Sequence, residues 1–232
     1  SIATTQLRHG RTSNLEEIFN LAGHLDKGFN YISDTRAECI DVYMLAATKS
    51  KEISAYKEFL VYVRRAKELL CDDIAKTRRF EVHREYHIAL YLNSLFDEAD
   101  AFFAEHLLNH ENMFDLRENY FSKVSQDSMR GRYREATEFG MEILGRLGIE
   151  LTIDKSVEDL KGELREVEIL FEKAGIKKIS DLQNIERRDV EQMEFISELL
   201  LAMVPAAFFF NPTVACLLIF TTLKLATRNG VY

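Results

Sequence analysis

Apolar residues recur three and four positions apart along almost the whole chain. That spacing is typical of amphipathic helices, and no stretch of useful length alternates apolar and polar residues as a strand would. The pattern therefore predicts an all-α protein. Its helices are predicted over 14–32, 36–51, 54–71, 79–93, 96–110, 113–129, 132–147, 157–174, 189–204 and 212–229, most of them joined by short polar connectors typical of antiparallel neighbours.

Three of these helices share one register, in which an aromatic residue is followed by inward positions at +3, +7, +10 and +14. The +3 residues Phe59, Ala99 and Ala136 are 40 and 37 positions apart, and each such helix follows another after a very short turn. This predicts an array of helix hairpins in which the +3 residue lies where the two helices of a hairpin cross. The full sets are Tyr56, Phe59, Val63, Ala66, Leu70; Phe96, Ala99, Phe103, His106, His110; and Tyr133, Ala136, Gly140, Ile143, Leu147.

Small residues at the crossing positions favour close approach of the helix backbones. Gly140 costs about 0.5–1 kcal/mol relative to alanine in a helix, so the packing gained must offset that loss. "GRYREA" (131–136) matches the Gly-x-Tyr-x-x-Ala pattern of the tetratricopeptide repeat, whereas Ser94 and Phe59 depart from it. The predicted fold is a tetratricopeptide-like solenoid with a C-terminal apolar helical hairpin; an irregular helical bundle is the alternative.

The most apolar stretch, 199–226, raises the question of a membrane span. Asn211–Pro212 divides it into segments of about 12 residues, too short for a hydrocarbon core of about 30 Å. We therefore predict no membrane span but a buried hairpin over 195–229. This hairpin either caps the array or forms a homodimer contact.

Charge and cysteine content exclude several classes of protein. The net charge of −8 argues against a nucleic-acid partner, and the basic pairs, such as Arg64–Arg65, are interpreted as solvated helix faces. Three scattered cysteines without a CxxC motif suggest neither a disulfide framework nor a thiolate metal site. With no signal peptide recognised, the expected location is cytoplasmic.

The sequence lacks the motifs of nucleotide and acyl-transfer chemistry. It has no GxxxxGK[ST] loop, no GxGxxG after a strand, no HRD or DFG set and no serine elbow. We expect a non-catalytic protein without a cofactor.

Four histidines form the one constellation that suggests chemistry. His83 and His87 are four residues apart on one predicted helix, and His106 and His110 are four apart on the next. A turn near 94–96 predicts that His87 is level with His106 and His83 level with His110, an arrangement that could hold Zn²⁺. The more ordinary interpretation is a set of partly buried, hydrogen-bonded histidines that titrate near neutrality.

The first helix of each hairpin is expected to line a concave face that binds a peptide or a helix of another protein domain. Counting from the small-residue positions assigns seven residues to this groove: Met44, Thr48, Arg84, Ile88, Tyr91, Phe121 and Ser125.

Five sequence segments follow one another in an order that resembles that of a known protein family. "IFNLAGHLDKGFNYI" (18–32) is followed by 46–70, 80–100, "GRYREATEFGMEILGRLGIEL" (131–151) and "PAAFFFNP" (205–212). This order resembles the helical region of large bacterial signalling proteins that join a serine/threonine kinase-like domain, an AAA-type ATPase, this segment, a GAF domain and a sensor histidine kinase.

The resemblance implies an internal scaffold that mediates interdomain or protein–protein contacts, with any kinase or ATPase activity lying elsewhere. It implies a helix leading from a preceding module over 1–35, tetratricopeptide-like repeats over 36–150, and a packing or capping segment over 151–232. A self-contained peptide-binding adaptor and a histidine-based metal protein are the alternatives.

Overall fold

A computed structural model describes residues 15–27 and 35–231, which form two compact units that divide between Glu111 and Asn112. The described residues contain helices and no β-strand, so the all-α prediction is confirmed. The first unit contains α1 (Leu15–Lys27), α2 (Arg36–Glu52), α3 (Tyr56–Glu68), α4 (Lys76–Leu92) and α5 (Phe96–His106). The second contains a 3₁₀ turn (Met113–Leu116), α6 (Arg117–Met129), α7 (Tyr133–Arg146), α8 (Val157–Ala174), a second 3₁₀ turn (Ile179–Asn184), α9 (Val190–Phe210) and α10 (Pro212–Asn229).

In the first unit each helix packs against the next one along the chain, from α1 to α5. Large side chains from α2, α3 and α4 form the centre of its core, among them Tyr43, Phe59 and Leu90. Lys51 of α2 also forms an ion pair with Glu85 of α4, at 3.2 Å between Nζ and Oε2. The end of the predicted helix 14–32 lies outside the described residues.

The turns of three hairpins have the same backbone conformation. Ser54, Ser94 and Gly131 all lie in the left-handed region, with φ of 59°, 60° and 73°. In each turn the next residue donates its N–H to a carbonyl five residues earlier, at 2.8 Å, 3.0 Å and 2.9 Å. The +3 residues Phe59, Ala99 and Ala136 are all fully buried. The three turns therefore share one type of helix C-cap, which Gly148 and Gly175 also form after α7 and α8.

This left-handed turn predicts opposite effects on stability for two substitutions, glycine in place of Ser94 and alanine in place of Gly131. A non-glycine residue in the left-handed region costs about 1–2 kcal/mol, so Ser94→Gly should raise the free energy of unfolding by about 0.5–1 kcal/mol. Gly131→Ala should lower it by about 1 kcal/mol. Urea unfolding followed by circular dichroism measures both. Ser125→Gly, in the interior of α6, is the control and should destabilise; stabilisation of that control to the same degree would contradict the argument.

In the second unit α9 is the central helix. It packs against α6, α7 and α10, and α10 also packs against α8. Gly140 of α7 faces Met203 of α9, and a Cβ added at Gly140 would lie 2.7 Å from the Met203 Cγ. The small residue at the +7 position is thus explained by the close approach of α9.

The prediction that a helix ends at 204 was wrong, because α9 continues through Pro205 to Phe210. A proline inside a helix removes a hydrogen bond and costs about 3 kcal/mol. Here Pro205 lies on the exposed side, while Met203, Ala206 and Ala207 continue the buried stripe. Asn211 ends the helix, and its side chain accepts the Thr213 N–H at 3.0 Å, which caps α10.

The predicted length of about 12 residues for the apolar segment before Asn211 was therefore also wrong, because α9 is 21 residues long. By length and composition alone, one helix of the described chain, the 21-residue α9, could cross a membrane, and 44% of its most apolar window is buried. Its packing against three helices accounts for that apolar character equally well.

Most other helix boundaries agree to within a few residues, although α5 ends at His106 rather than 110 and 113–116 is a 3₁₀ turn. One unit boundary also differs. Ser156 caps α8, as predicted, by accepting the Asp159 N–H at 3.1 Å. The same pair holds the pKa of Asp159 below its usual value, chiefly through the Ser156 hydroxyl. The two compact units, however, divide inside the predicted repeat segment 36–150, because the α6–α7 hairpin packs with α9 rather than only within a repeat array.

Candidate functional site

A cleft of about 460 Å³ opens between α3, α4 and α5 of the first unit. We call it the α3–α5 cleft. Its lining is mixed: two cationic side chains and one acidic side chain, two imidazoles, one phenol and one aliphatic residue. These are Arg64, Lys67, Glu68, Leu70, His83, Tyr86 and His106.

Lys67 is held in the cleft by aromatic rings. Its Nζ lies 4.7 Å from the centroid of the Tyr86 ring and 5.4 Å from that of Phe102. An ammonium group at this distance from a ring face gains about 0.5–2 kcal/mol from the ring quadrupole. The rings carry no net charge, and therefore they do not neutralise the positive charge of Lys67.

Arg64 lies one helical turn before Lys67 on α3 and is exposed. Within residues 15–27 and 35–231, neither Arg64 nor Lys67 has a carboxylate within ion-pair distance. Glu68 borders the same cleft but lies 3.0 Å from Arg65 Nη1. The cleft therefore presents two adjacent positive charges on a chain whose net charge is −8.

Two imidazoles meet in the cleft. The rings of His83 and His106 are 4.6 Å apart, and Phe102 contacts both, at 5.3 Å and 4.4 Å. Burial lowers the pKa of His83 to about 4, with further contributions from His106, Lys67 and Arg79. The prediction of titration near neutrality was wrong for His83, which is uncharged at pH 7.

The predicted pairing of histidines was wrong by about one helical turn. The turn is centred on Ser94, and His83 lies eleven positions before it while His106 lies twelve after it, so these two are level. His87 is fully buried, with its ring 5.2 Å from Phe103, and His110 stacks on Phe80 at 3.7 Å. The four imidazoles are therefore divided among three different environments.

The four histidines, placed in three environments, do not form a metal site. Among the described residues there is no group of three or more histidine, cysteine, aspartate and glutamate side chains that could hold a metal ion. The positive charge of Lys67, close to His83, also opposes cation binding at the histidine pair.

The seven residues predicted for a concave face fall in different places. Ile88 is 1% exposed and belongs to the core, so its assignment to an open groove was wrong. Val82 and Tyr86, on other faces of the same helix, are buried as well, because α4 packs against both α3 and α5. The other residues are partly or fully exposed: Met44, Thr48, Arg84 and Tyr91 in the first unit, Phe121 and Ser125 in the second.

A second exposed apolar surface runs along the last three turns of α9, in the predicted hairpin 195–229. Phe208 and Phe209 are 59% and 66% exposed, and Leu201 is 61% exposed. Phe209 stacks on Tyr133, with 5.0 Å between the ring centroids, so the exposed aromatic group is held against the start of α7. We call Leu201, Phe208 and Phe209 the hairpin patch.

The pKa of His83 predicts a dependence of stability on pH. The unfolded chain binds a proton near pH 6.5 and the folded chain near pH 4, so stability falls as pH decreases through this interval. His83→Gln should remove this part of the slope in urea unfolding between pH 6.5 and 4. The exposed His24 supplies the control: if His24→Gln flattened the slope as much as His83→Gln, the argument would fail.

Sequence reasoning missed Arg64 and Lys67, because it interpreted the pair Arg64–Arg65 as a solvated face and did not single out Lys67. One signal was available: Arg64 and Lys67 are three positions apart, as are His83 and Tyr86 on the next helix. Residues at that spacing share a helix face. Whether the pair on α3 faces the pair on α4, however, depends on how the two helices pack against each other.

Comparisons with protein-family models, with curated proteins and with solved structures found no match.

Proposed function

We propose that this chain is a non-catalytic scaffold of tetratricopeptide-like hairpins that mediates contacts between protein domains within a larger signalling kinase. The observation that carries the proposal is the repeated turn of Ser54, Ser94 and Gly131, with a buried residue at each crossing position. Repeated hairpins that stack build extended surfaces for protein contact. The kinase context comes from the order of sequence segments and remains a prediction, as does the cytoplasmic location.

The hairpin patch supports a role in protein contact. Three large apolar side chains more than half exposed are expected at an interaction surface rather than on a surface that stays in water. Its occupant is either another domain of the full-length protein or a second copy of this chain.

The experiment pairs this chain with the segments encoded immediately upstream and downstream in the full-length protein. Isothermal titration calorimetry should detect binding to one of them, and Phe208→Ser with Phe209→Ser should weaken it at least tenfold. Ile169→Ser removes an apolar residue of α8 that is 41% exposed and is the control, with unchanged binding expected. Point substitutions are preferable to truncation, because α9 supplies the core of the second unit.

Two outcomes would separate the alternatives. An upstream segment without a P-loop and an AAA-like domain would contradict the kinase context and favour a self-contained adaptor. Light scattering that finds a dimer, converted to a monomer by the same two serine substitutions, would assign the hairpin patch to a second copy. Equal loss of binding in the Ile169→Ser control would contradict any specific role for the patch.

A further inference from the structure

We propose that the α3–α5 cleft binds a doubly charged phosphoryl group, presented by a phosphorylated side chain of a protein partner. The inference rests on the proposed function as a protein-interaction module, and it assigns a ligand class to a surface distinct from the hairpin patch.

Charge is the first argument. Arg64 and Lys67 lie one turn apart on α3, and like charges at this spacing destabilise a helix slightly. Neither has a carboxylate partner within the described part of the chain, whereas Arg65 between them has both Glu68 and Asp26. Two uncompensated charges match one phosphoryl group, which carries about −1.5 to −2 at pH 7. A single carboxylate would neutralise only one of them.

Hydrogen-bonding capacity is the second argument. Arginine offers a planar set of N–H donors and lysine a point charge with three donors, and both are common ligands of phosphate. His83 and His106 border the same cleft, and an imidazole ring carries at least one N–H donor. A phosphoryl group has three strong acceptor oxygens. The cleft therefore offers more hydrogen-bond donors than one carboxylate could accept.

Preorganisation is the third argument. The rings of Tyr86 and Phe102 lie beside the Lys67 ammonium, and Tyr86 and Phe102 themselves contact each other at 4.9 Å. Ordering a long lysine side chain on binding carries an entropic cost. Here part of that cost is already met in the free protein, because Lys67 is held over the rings.

Shape favours a side chain of a partner over a free ion. A cleft of about 460 Å³ lies within the range of ligand pockets, about 300–1,000 Å³. That volume is several times larger than a phosphate ion requires. The aromatic wall of Tyr86 and the aliphatic Leu70 would contact the residues that flank a phosphorylated side chain.

The test follows the imidazole ¹H–¹³C NMR signals of His83 and His106 during titration with the peptide Ac-Gly-Ala-pSer-Ala-Gly-amide. Saturable shifts of both signals are expected, while the exposed His24 should not shift. The peptides with serine or glutamate in place of phosphoserine should bind at least tenfold more weakly. The absence of shifts at about 10 mM phosphopeptide would overturn the inference.

Variants on a single helix locate the site. Arg64→Gln and Lys67→Gln should each weaken phosphopeptide binding about tenfold or more, and Lys67→Arg should retain it. Lys57→Gln removes the same charge from an exposed position of α3 that does not line the cleft, and should bind as the wild-type chain does. Equal weakening by Lys57→Gln would show only general charge attraction and would overturn the site.

Two further outcomes separate this inference from the proposed function. Inorganic phosphate that binds as tightly as the phosphopeptide would overturn presentation by a protein partner. Failure of the phosphopeptide, together with intact calorimetric binding of a flanking domain, would overturn the cleft while leaving the scaffold proposal in place.

Discussion

Replacing Phe59 with alanine is expected to lower the free energy of unfolding by about 3–5 kcal/mol. Phe59 is fully buried, although it occupies the crossing position at which the other two hairpins carry alanine. Lys51 of α2 also lies over its ring, with Nζ 5.6 Å from the centroid. Alanine would remove the ring from between α2 and α3 and leave a cavity, because two helices so extensively packed can close only part of the space.

The matched control is Tyr56→Ala, three positions earlier on the same helix. Tyr56 is 38% exposed and its hydroxyl donates a hydrogen bond to the exposed Ser54 hydroxyl, at 3.4 Å. Its loss should cost less than about 1 kcal/mol. Urea unfolding followed by circular dichroism at 222 nm measures both variants. Similar losses for the two would show that the first hairpin does not pack around Phe59.

Gly140→Ala is the second large effect, and its sign is the informative part. Alanine is the better helix former by about 0.5–1 kcal/mol, so an exposed glycine in a helix would gain stability from this change. At Gly140 the new methyl group would lie 2.7 Å from the Met203 Cγ and 2.9 Å from its Cε. Met203 is fully buried and cannot move into solvent. Overpacking costs about 1–3 kcal/mol, so we expect a net loss of about 1–2 kcal/mol.

Gly145 and Met203 provide the tests of this explanation. Gly145→Ala, in the same helix, meets no atom within 4 Å and should stabilise the protein by about 0.5–1 kcal/mol. In a Met203→Ala background, Gly140→Ala should stabilise as well, which gives a coupling energy of about 1–3 kcal/mol in the double-mutant cycle. A coupling energy near zero would exclude Met203 as the cause.

The sequence determined the features that depend on neighbours along the chain. The spacing of apolar residues gave the helices, since residues three and four positions apart share a helix face. Polar connectors located the turns, and the shared register identified three hairpins whose crossing residues are buried. The cap of α8 by Ser156 is likewise local, because its hydrogen bond joins residues three positions apart.

Only the tertiary structure decided which helix faces meet. The pairing of His83 with His106 depends on the centre of the turn, and an error of about two residues in that centre shifts the pairing by about four positions, or one helical turn. The continuation of α9 through Pro205 and the place of Ile88 in the core follow from burial against distant helices, whose packing outweighs local preference.

The α3–α5 cleft is likewise a feature that only the tertiary structure decided. Arg64 and Lys67 are ordinary surface residues in the sequence, and they line the cleft only because α3 packs beside α4 and α5. The backbone hydrogen bonds of a helix join residues a few positions apart, so the local sequence is enough to predict them. The relative rotation of two helices is set instead by side chains far apart along the chain, and that rotation placed two cations beside two imidazoles.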